Sequence, residues 1–492
     1  MKIAKIVIIV VAAFFIFMAY RGWAQADICT DLALQPYGGA TITSAAMVPP
    51  NGGTPAYCRV TATAGEQTDI EVRLPDNWKK RFLHLGGGGF DGITPFDPTF
   101  PPLPVEPPYD NLLQQGYALA GSNGGHRATQ YPGPTFALGY TLAQDYAYTA
   151  IGTTVRVAKA LIGAYYGERP KYSYFVGCSN GGRGAFNAAA KYPNWYDGVV
   201  AASPSRNMPG LSAAWMQFMP AMALTPGKVA TLYNATVAEC DALDGLKDGI
   251  ISNWAACTFD PASLLCKGTS NDSCLTEQEI AIVKMIQSNL TLSDGRLIYS
   301  RTGVGQLNWA YAYGILGPGF VDWLTLRNPS YSSWNLNQEF PTIVEVLEGA
   351  YACSGETDAL AKYLNSGKKM IVWHGSDDTL LSHYDTIRTF YDVVRAAGPG
   401  RENAQLYVAG GVSHCGGGPG ADTVDLVSAI TDWVEQGQVP GRLLASKVNP
   451  QTGEVLFTRP LCEYPKFPYY IRGNPNDAVS FRCKNPEIPI FY

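Results

Sequence analysis

At 492 residues, with 46% hydrophobic and 16% charged residues, the chain can bury a large core; it is too apolar for a disordered protein and too interrupted for a multi-span membrane protein. A formal net charge of -5 with no Lys/Arg run excludes the electrostatic footprint of a nucleic-acid partner. Lys2 and Lys5 precede an apolar run from Ile6 to Tyr20, and Ala24-Gln25-Ala26 offers small residues for cleavage. That is the layout of a secretory signal peptide over residues 1–26, with the mature chain beginning at Asp27. The run is shorter than the ~20 residues of a membrane span, which argues against an uncleaved anchor. Asp27-Ile28 ahead of Cys29 is not the small-residue setting of a lipoprotein. The expectation is a secreted or periplasmic protein with no membrane partner after cleavage. Export makes disulfides the default for the 11 cysteines, and the odd count leaves one thiol over. No CxxC pair occurs, which speaks against zinc.

Ile70 to Leu74 alternates apolar and polar residues as a half-buried strand does, and Arg81 to Leu85 reads as a second strand, ending at Gly86-Gly87-Gly88-Gly89. Ala143 to Tyr166 has helical spacing, with Gly167 where a helix stops. Tyr172 to Val176 predicts a buried strand, Gly181 to Tyr192 a helix ended by Pro193, and Val199 to Ala202 another strand. This succession implies an α/β fold: a parallel sheet with helices on both faces. From about Ser205 to Cys353 the repeat lapses into a stretch rich in Trp, Tyr, Pro, Asn and Cys, with helical patches such as Thr276 to Gln287. It resumes with strands at Lys369 to Trp373 and Ala404 to Ala409 and a helix at Thr423 to Gln436. The predicted architecture is a core in two parts, 27–204 and 354–492, interrupted by a lid domain over 205–353.

Gly177-Cys178-Ser179-Asn180-Gly181 matches G-x-S-x-G between a predicted strand and a predicted helix, the context of a nucleophile elbow. A serine hydroxyl needs a base to take its proton. Of the five histidines, His84, His126, His374, His383 and His414, the chain order serine, acid, histidine leaves the last three. His414 lies in a glycine-rich loop after a predicted strand. His374 ends a strand, where a structural hydrogen bond is an equal reading, and His383 falls at a helix start. The cysteines select His414, because Cys178 directly precedes the serine and Cys415 directly follows that histidine. A disulfide between them would hold two Cα atoms roughly 4.4–6.8 Å apart, each about 3.8 Å from a proposed catalytic residue. The acid lies in His374-Gly375-Ser376-Asp377-Asp378-Thr379-Leu380, where two aspartates compete and the unchosen one reads as a solvated or capping carboxylate. Gly86 to Gly89 supplies one backbone donor for a developing oxyanion, and the Asn180 amide supplies another. No GxGxxG or G-K-[ST] spacing supports phosphate binding instead.

Asp241, Asp244 and Asp248, interleaved with Gly245 and Gly249, suit a hard cation that takes carboxylate and carbonyl oxygens, without the closing Glu of an EF-hand. A solvated acidic turn is the alternative. Cys240 with Cys257 and Cys266 with Cys274 are candidate local pairs, and Cys462 with Cys483 a candidate staple for the tail.

Together these residues resemble the tannase and feruloyl esterase family of α/β-hydrolases. The likeness runs from Leu74-Pro75, Trp78 and Arg81-Phe82 through the glycine run, Gly124-Gly125-His126, Tyr172 to Arg183, Tyr196-Asp197-Gly198 and Cys240 to Ile250. It continues through Lys369 to Asp378, Ser413 to Gly420 and Thr458 to Cys462, and its most specific marks are the Cys-Ser and His-Cys dipeptides. The resemblance implies an α/β-hydrolase fold, Asp378 as the acid, and the amides of Gly89 and Asn180 as oxyanion donors. It also implies structural calcium on Asp241, Asp244 and Asp248 with the carbonyls of Leu246 and Ile250. The disulfides it implies are Cys29–Cys58, Cys178–Cys415, Cys240–Cys257, Cys266–Cys274 and Cys462–Cys483, with Cys353 left free.

The reading is then a serine esterase acting on a small ester of an aromatic acid, of feruloyl, galloyl or terephthaloyl type. The aromatic residues Trp215, Trp254, Trp309, Tyr311, Tyr313, Trp323, Tyr331 and Trp334 of the insertion favour a flat acyl group. Trp334 is the candidate substrate contact. A general carboxylesterase or a peptidase can use the same triad. A silent calcium-binding interaction protein would have no need of an intact Ser179, Asp378, His414 and glycine run.

Overall fold

The computed structural model describes residues 28–101, 103–303, 319, 321, 334–350 and 355–487. The predicted signal peptide, Cys353, Trp309, Tyr311, Tyr313, Trp323 and Tyr331 lie outside the described residues. Among those described, no helix is long and apolar enough to cross a membrane.

Nine strands form the main sheet: β1 (Ala40–Val48), β2 (Tyr57–Ala64), β3 (Thr68–Pro75), β4 (Arg81–Leu85), β5 (Tyr117–Ser122), β6 (Tyr172–Cys178), β7 (Gly198–Ala202), β8 (Lys369–Gly375) and β9 (Ala404–Ala409). Their spatial order is β1-β2-β3-β5-β4-β6-β7-β8-β9. From β5 to β9 every neighbouring pair is parallel. The first three strands instead run antiparallel to one another, and β3 runs antiparallel to β5. The all-parallel expectation therefore needs correction at this end. The turns joining β1, β2 and β3 are too short for a crossover helix, so only antiparallel pairing is open to them.

Successive side chains of the central strands serve opposite cores, as pleating requires. Phe82, Phe175, Val199, Ala201, Met370 and Val372 pack with the helices Ala150–Tyr166, Asn180–Lys191, Thr357–Asn365 and His383–Ala397. Leu83, Val176, Val200, Ile371 and Trp373 pack on the other face with the helices Tyr109–Gln114 and Leu426–Gln436. Near-continuous burial of both faces is what makes these strands read as apolar runs rather than alternating ones.

The chain between β7 and β8 carries the helices Met208–Phe218, Pro226–Cys240, Glu277–Ile286 and Leu336–Val344. Leu211, Trp215, Phe218, Val283, Ile286 and Ile343 form a third apolar cluster there. Phe136, Leu142, Ala143 and Tyr146 join it from outside the insertion, so its core is shared with the segment just before Ala150. That segment also modifies the predicted helix 143–166, which begins at Tyr140 and contains a wide π turn at Asp145–Thr149. Two antiparallel hairpins, Leu443–Val448 with Val455–Leu461 and Phe467–Tyr470 with Phe481–Lys484, end the described chain.

Candidate active site

β6 ends at Cys178, and Ser179 turns the chain into the helix Asn180–Lys191 with φ 62° and ψ -120°. That left-handed conformation is costly for a residue with a Cβ and marks a strained strand-to-helix turn. The neighbours must be small for it to form. A Cβ on Gly181 would meet the Gly87 carbonyl oxygen at 2.5 Å, because the glycine run after β4 lies directly against the start of the helix. Ser179 N donates to Ala202 O at 3.0 Å, which fixes the turn to the end of β7.

Disulfide Cys178–Cys415, with Cα atoms 5.9 Å apart, ties this turn to the loop after β9 that bears His414. His414 Nδ1 lies 2.7 Å from Asp378 Oδ2, and Asp378 sits fully buried in the loop after β8. Asp378 Oδ1 accepts the N–H groups of Leu380 and Leu381, each at 2.9 Å. Burial disfavours its charge, but the neighbouring His414 and His374, with the hydrogen bonds they make, hold its carboxyl well below the usual range. The structure thus brings Ser179, Asp378 and His414 to the same end of the parallel sheet, after β6, β8 and β9, with β7 between the first two. Among the described residues the Ser179 hydroxyl makes no hydrogen bond to His414, a link that often tightens only with substrate.

His374 is a partner that sequence reading left open. Its Nε2 lies 3.1 Å from the same Asp378 Oδ2, and its Nδ1 lies 2.9 Å from Thr386 Oγ1. Its position four residues before Asp378 was the available signal. Asp377 corrects the expectation of a solvated or capping carboxylate. It is buried, accepts from Ser376 Oγ at 3.1 Å and Tyr233 OH at 3.4 Å, and burial pushes its carboxyl up to about 7.

Gly89 and Asn180 present backbone N–H groups that no hydrogen bond takes up among the described residues. A Cβ built on Gly89 meets nothing within 4 Å, so the space beside it is open. Unspent donors beside open space are what an oxyanion site requires.

The other expected disulfides, Cys29–Cys58, Cys240–Cys257, Cys266–Cys274 and Cys462–Cys483, are all formed. Cys240–Cys257 closes the acidic loop. There Asp241 accepts from the N–H groups of Asp248 and Gly249, Asp244 from Leu246 and Ser252, and Asp248 from Ile250. Arg459 Nη2 lies 2.5 Å from Asp248 Oδ2 and ties the loop to the first C-terminal hairpin. Among the described residues no three His, Cys, Asp or Glu side chains form a ready metal set, so a cation here would draw on the Leu246 and Ile250 carbonyls as well. Each carboxylate oxygen keeps lone pairs beyond the bonds it makes, and an all-oxygen donor set fits calcium.

Trp334 packs partly buried against the core of the insertion and donates its indole N–H to Gln217 Oε1 at 3.3 Å. Trp215 is buried and donates to Leu380 O at 2.8 Å, seating the insertion on the loop that bears Asp378. A cavity of about 520 Å³ beside Trp254, Asp377 and His383 includes neither Ser179 nor His414 in its wall.

The chain matches the family described as tannase and feruloyl esterase over residues 56–342 and 322–484. It is 27% identical to a mono(2-hydroxyethyl) terephthalate hydrolase of Piscinibacter sakaiensis, an alignment covering 94% of this chain and 90% of that protein. It is 30% identical to a probable feruloyl esterase of Arthroderma benhamiae, covering 84% of this chain and 82% of the relative. The solved structure of feruloyl esterase B from Aspergillus oryzae superposes with a TM-score of 0.83 at 24% identity, covering 94% of this chain and 100% of that one, which shows the shared fold.

Proposed function

The chain belongs to the tannase and feruloyl esterase family and is a carboxylic ester hydrolase, and on that premise we propose that it cleaves esters of aromatic acids through an acyl-enzyme on Ser179. The observation that carries this reading is the junction of three features. Ser179 stands on a strained elbow, the Cys178–Cys415 bridge ties that elbow to His414, and His414 Nδ1 rests on Asp378.

With Nδ1–H donated to Asp378, Nε2 of His414 is the free base that takes the Ser179 proton. The serine oxygen attacks the carbonyl carbon, and the Gly89 and Asn180 amides receive the negative charge that builds on the carbonyl oxygen. His414 then protonates the departing alkoxide, releasing the alcohol, and activates water to free the acid. Trp334 and other rings of the insertion are the proposed stacking surface for a flat acyl group. Two relatives support this class, one a mono(2-hydroxyethyl) terephthalate hydrolase and the other a probable feruloyl esterase.

The test is the ratio of kcat/KM for methyl ferulate or methyl gallate to that for a butyrate ester. A preference of about 10-fold or more for the aromatic acid is expected, in line with the ~1–3 kcal/mol that a fitted pocket contributes to discrimination. Preference for butyrate makes the protein a general carboxylesterase.

The acidic loop is proposed to hold structural calcium through Asp241, Asp244 and Asp248 and the carbonyls of Leu246 and Ile250. Five disulfides support an exported protein, consistent with the signal-like segment over 1–26. A chelator is expected to lower Tm by several degrees, calcium to restore it, and kcat below the transition to stay nearly unchanged. An identical melting curve with and without chelator contradicts the assignment.

A further inference from the structure

Asp91 is absent from the triad and from the oxyanion donors, yet its surroundings are built around it. It follows the glycine run and has a left-handed backbone of its own, with φ 46°. Its N–H donates to Gly88 O at 2.9 Å, and its carboxyl group is wedged against two glycines. A Cβ on Gly124 would stand 2.4 Å from Asp91 Oδ2, and one on Gly87 2.9 Å from the same atom. Burial pushes the carboxyl up to about 7, against the hydrogen bond from Asn180 and the charge of Arg183.

What Asp91 holds is the Asn180 side chain, whose Nδ2 donates to Asp91 Oδ1 at 2.7 Å. The other end of that amide, Oδ1, accepts from Arg183 Nε at 2.7 Å. Arg183 is buried and reaches the carbonyls of Tyr146 and Ala147 in the wide π turn. Tyr146 closes the circuit, its hydroxyl donating to Gly89 O at 2.7 Å. Gly89 and Asn180, whose N–H groups stand unspent, are therefore joined by one continuous chain of side chains. A rigid donor pair costs no reorganisation when charge develops, and that preorganisation is what makes such donors effective.

We propose that Asp91, through Asn180, Arg183 and Tyr146, is a positioning residue that sets the two backbone donors of the oxyanion site, as an element of the serine mechanism proposed above, on which this inference rests. It explains Gly124, which the family resemblance singled out and the triad does not use. Gly124 leaves room for the carboxyl group.

The experiment compares wild type with Asp91→Ala, Asp91→Asn and Tyr146→Phe on an aromatic methyl ester, with Ser179→Ala as reference. For each, kcat, KM, and the affinities of an arylboronic acid and of the free product acid are measured. Asp91→Ala is expected to lower kcat about 30- to 300-fold, at or somewhat below the ~10²–10³ for losing one oxyanion donor outright, with KM and product-acid affinity changed less than about 3-fold. The boronic acid, whose tetrahedral adduct carries the oxyanion, weakens in parallel with kcat. Asp91→Asn keeps an oxygen for Asn180 Nδ2 and recovers most of the loss, and Tyr146→Phe falls between. If Asp91→Ala weakens boronate and product acid equally, or retains wild-type kcat, the positioning role is wrong. If Ser179→Ala retains activity, the serine mechanism itself is wrong, and the two failures are thereby told apart.

Discussion

Ser179→Ala is expected to lower kcat for ester hydrolysis by about 10⁴-fold or more while the melting temperature stays close to wild type. The size of the loss follows from removing the nucleophile of a group that acts as a unit, leaving only binding and the oxyanion donors. The fold is spared because the backbone bonds of Ser179, to Ala202 O and from Arg183 N, do not involve the hydroxyl. Alanine also carries the same φ 62° as serine with no larger side chain to place. Steady-state rates and a thermal melt on one preparation check both halves.

Asp378→Asn is expected to cost about 10⁴-fold in kcat, whereas Asp377→Asn is expected to cost less than about 5-fold. The hydrogen bonds decide this. An amide at position 378 has one oxygen for two sets of donors. If its NH₂ faces His414, the imidazole must accept on Nδ1 and carry its proton on Nε2, where it no longer serves as a base. If it turns the other way, the NH₂ faces the N–H groups of Leu380 and Leu381. Asp377 instead meets two hydroxyls, Ser376 Oγ and Tyr233 OH, which can each donate or accept. Its burial already raises the carboxyl to about 7, so its charge is only weakly held in the assay range and losing it changes little. The two variants assayed side by side at about pH 7.5, near the working range of a histidine base, give the comparison, and equal losses would show that Asp378 has no special role in orienting His414.

The strands best read in the sequence were those buried on both faces. Arg81–Leu85 and Ala404–Ala409 have the predicted bounds, and Tyr172–Cys178 and Lys369–Gly375 run two residues past their predicted ends. An uninterrupted apolar run is the direct imprint of a parallel strand between two layers. β1, half exposed along most of its length, carries no such run: the alternation of Ala40-Thr41-Ile42-Thr43 stops at Ser44, where its pairing with β2 shifts register. The helix at Met208–Phe218 was hidden for the opposite reason, being buried nearly all round and so lacking an apolar stripe.

For the site, dipeptides told more than periodicity did. Cys178-Ser179 and His414-Cys415 linked two loops 237 residues apart, and the structure forms that bridge. Periodicity could not choose between Asp377 and Asp378, and only the family resemblance pointed to Asp378; physically the choice depends on which carboxyl group the His414 ring meets. The role of His374 stayed open and Asp91 was overlooked because both roles arise from tertiary approach: one shares an oxygen with His414, the other fits a space left by Gly124.

The central claim, an acyl-enzyme on Ser179, is met most directly by mass spectrometry of the intact protein quenched in acid during turnover of a slowly hydrolysed aromatic aryl ester. The account predicts a mass increase equal to one acyl group, mapping to the peptide that contains Cys178-Ser179-Asn180 and absent from Ser179→Ala. Turnover with the acyl group on another residue, or a Ser179→Ala variant that acylates as readily as wild type, would contradict it.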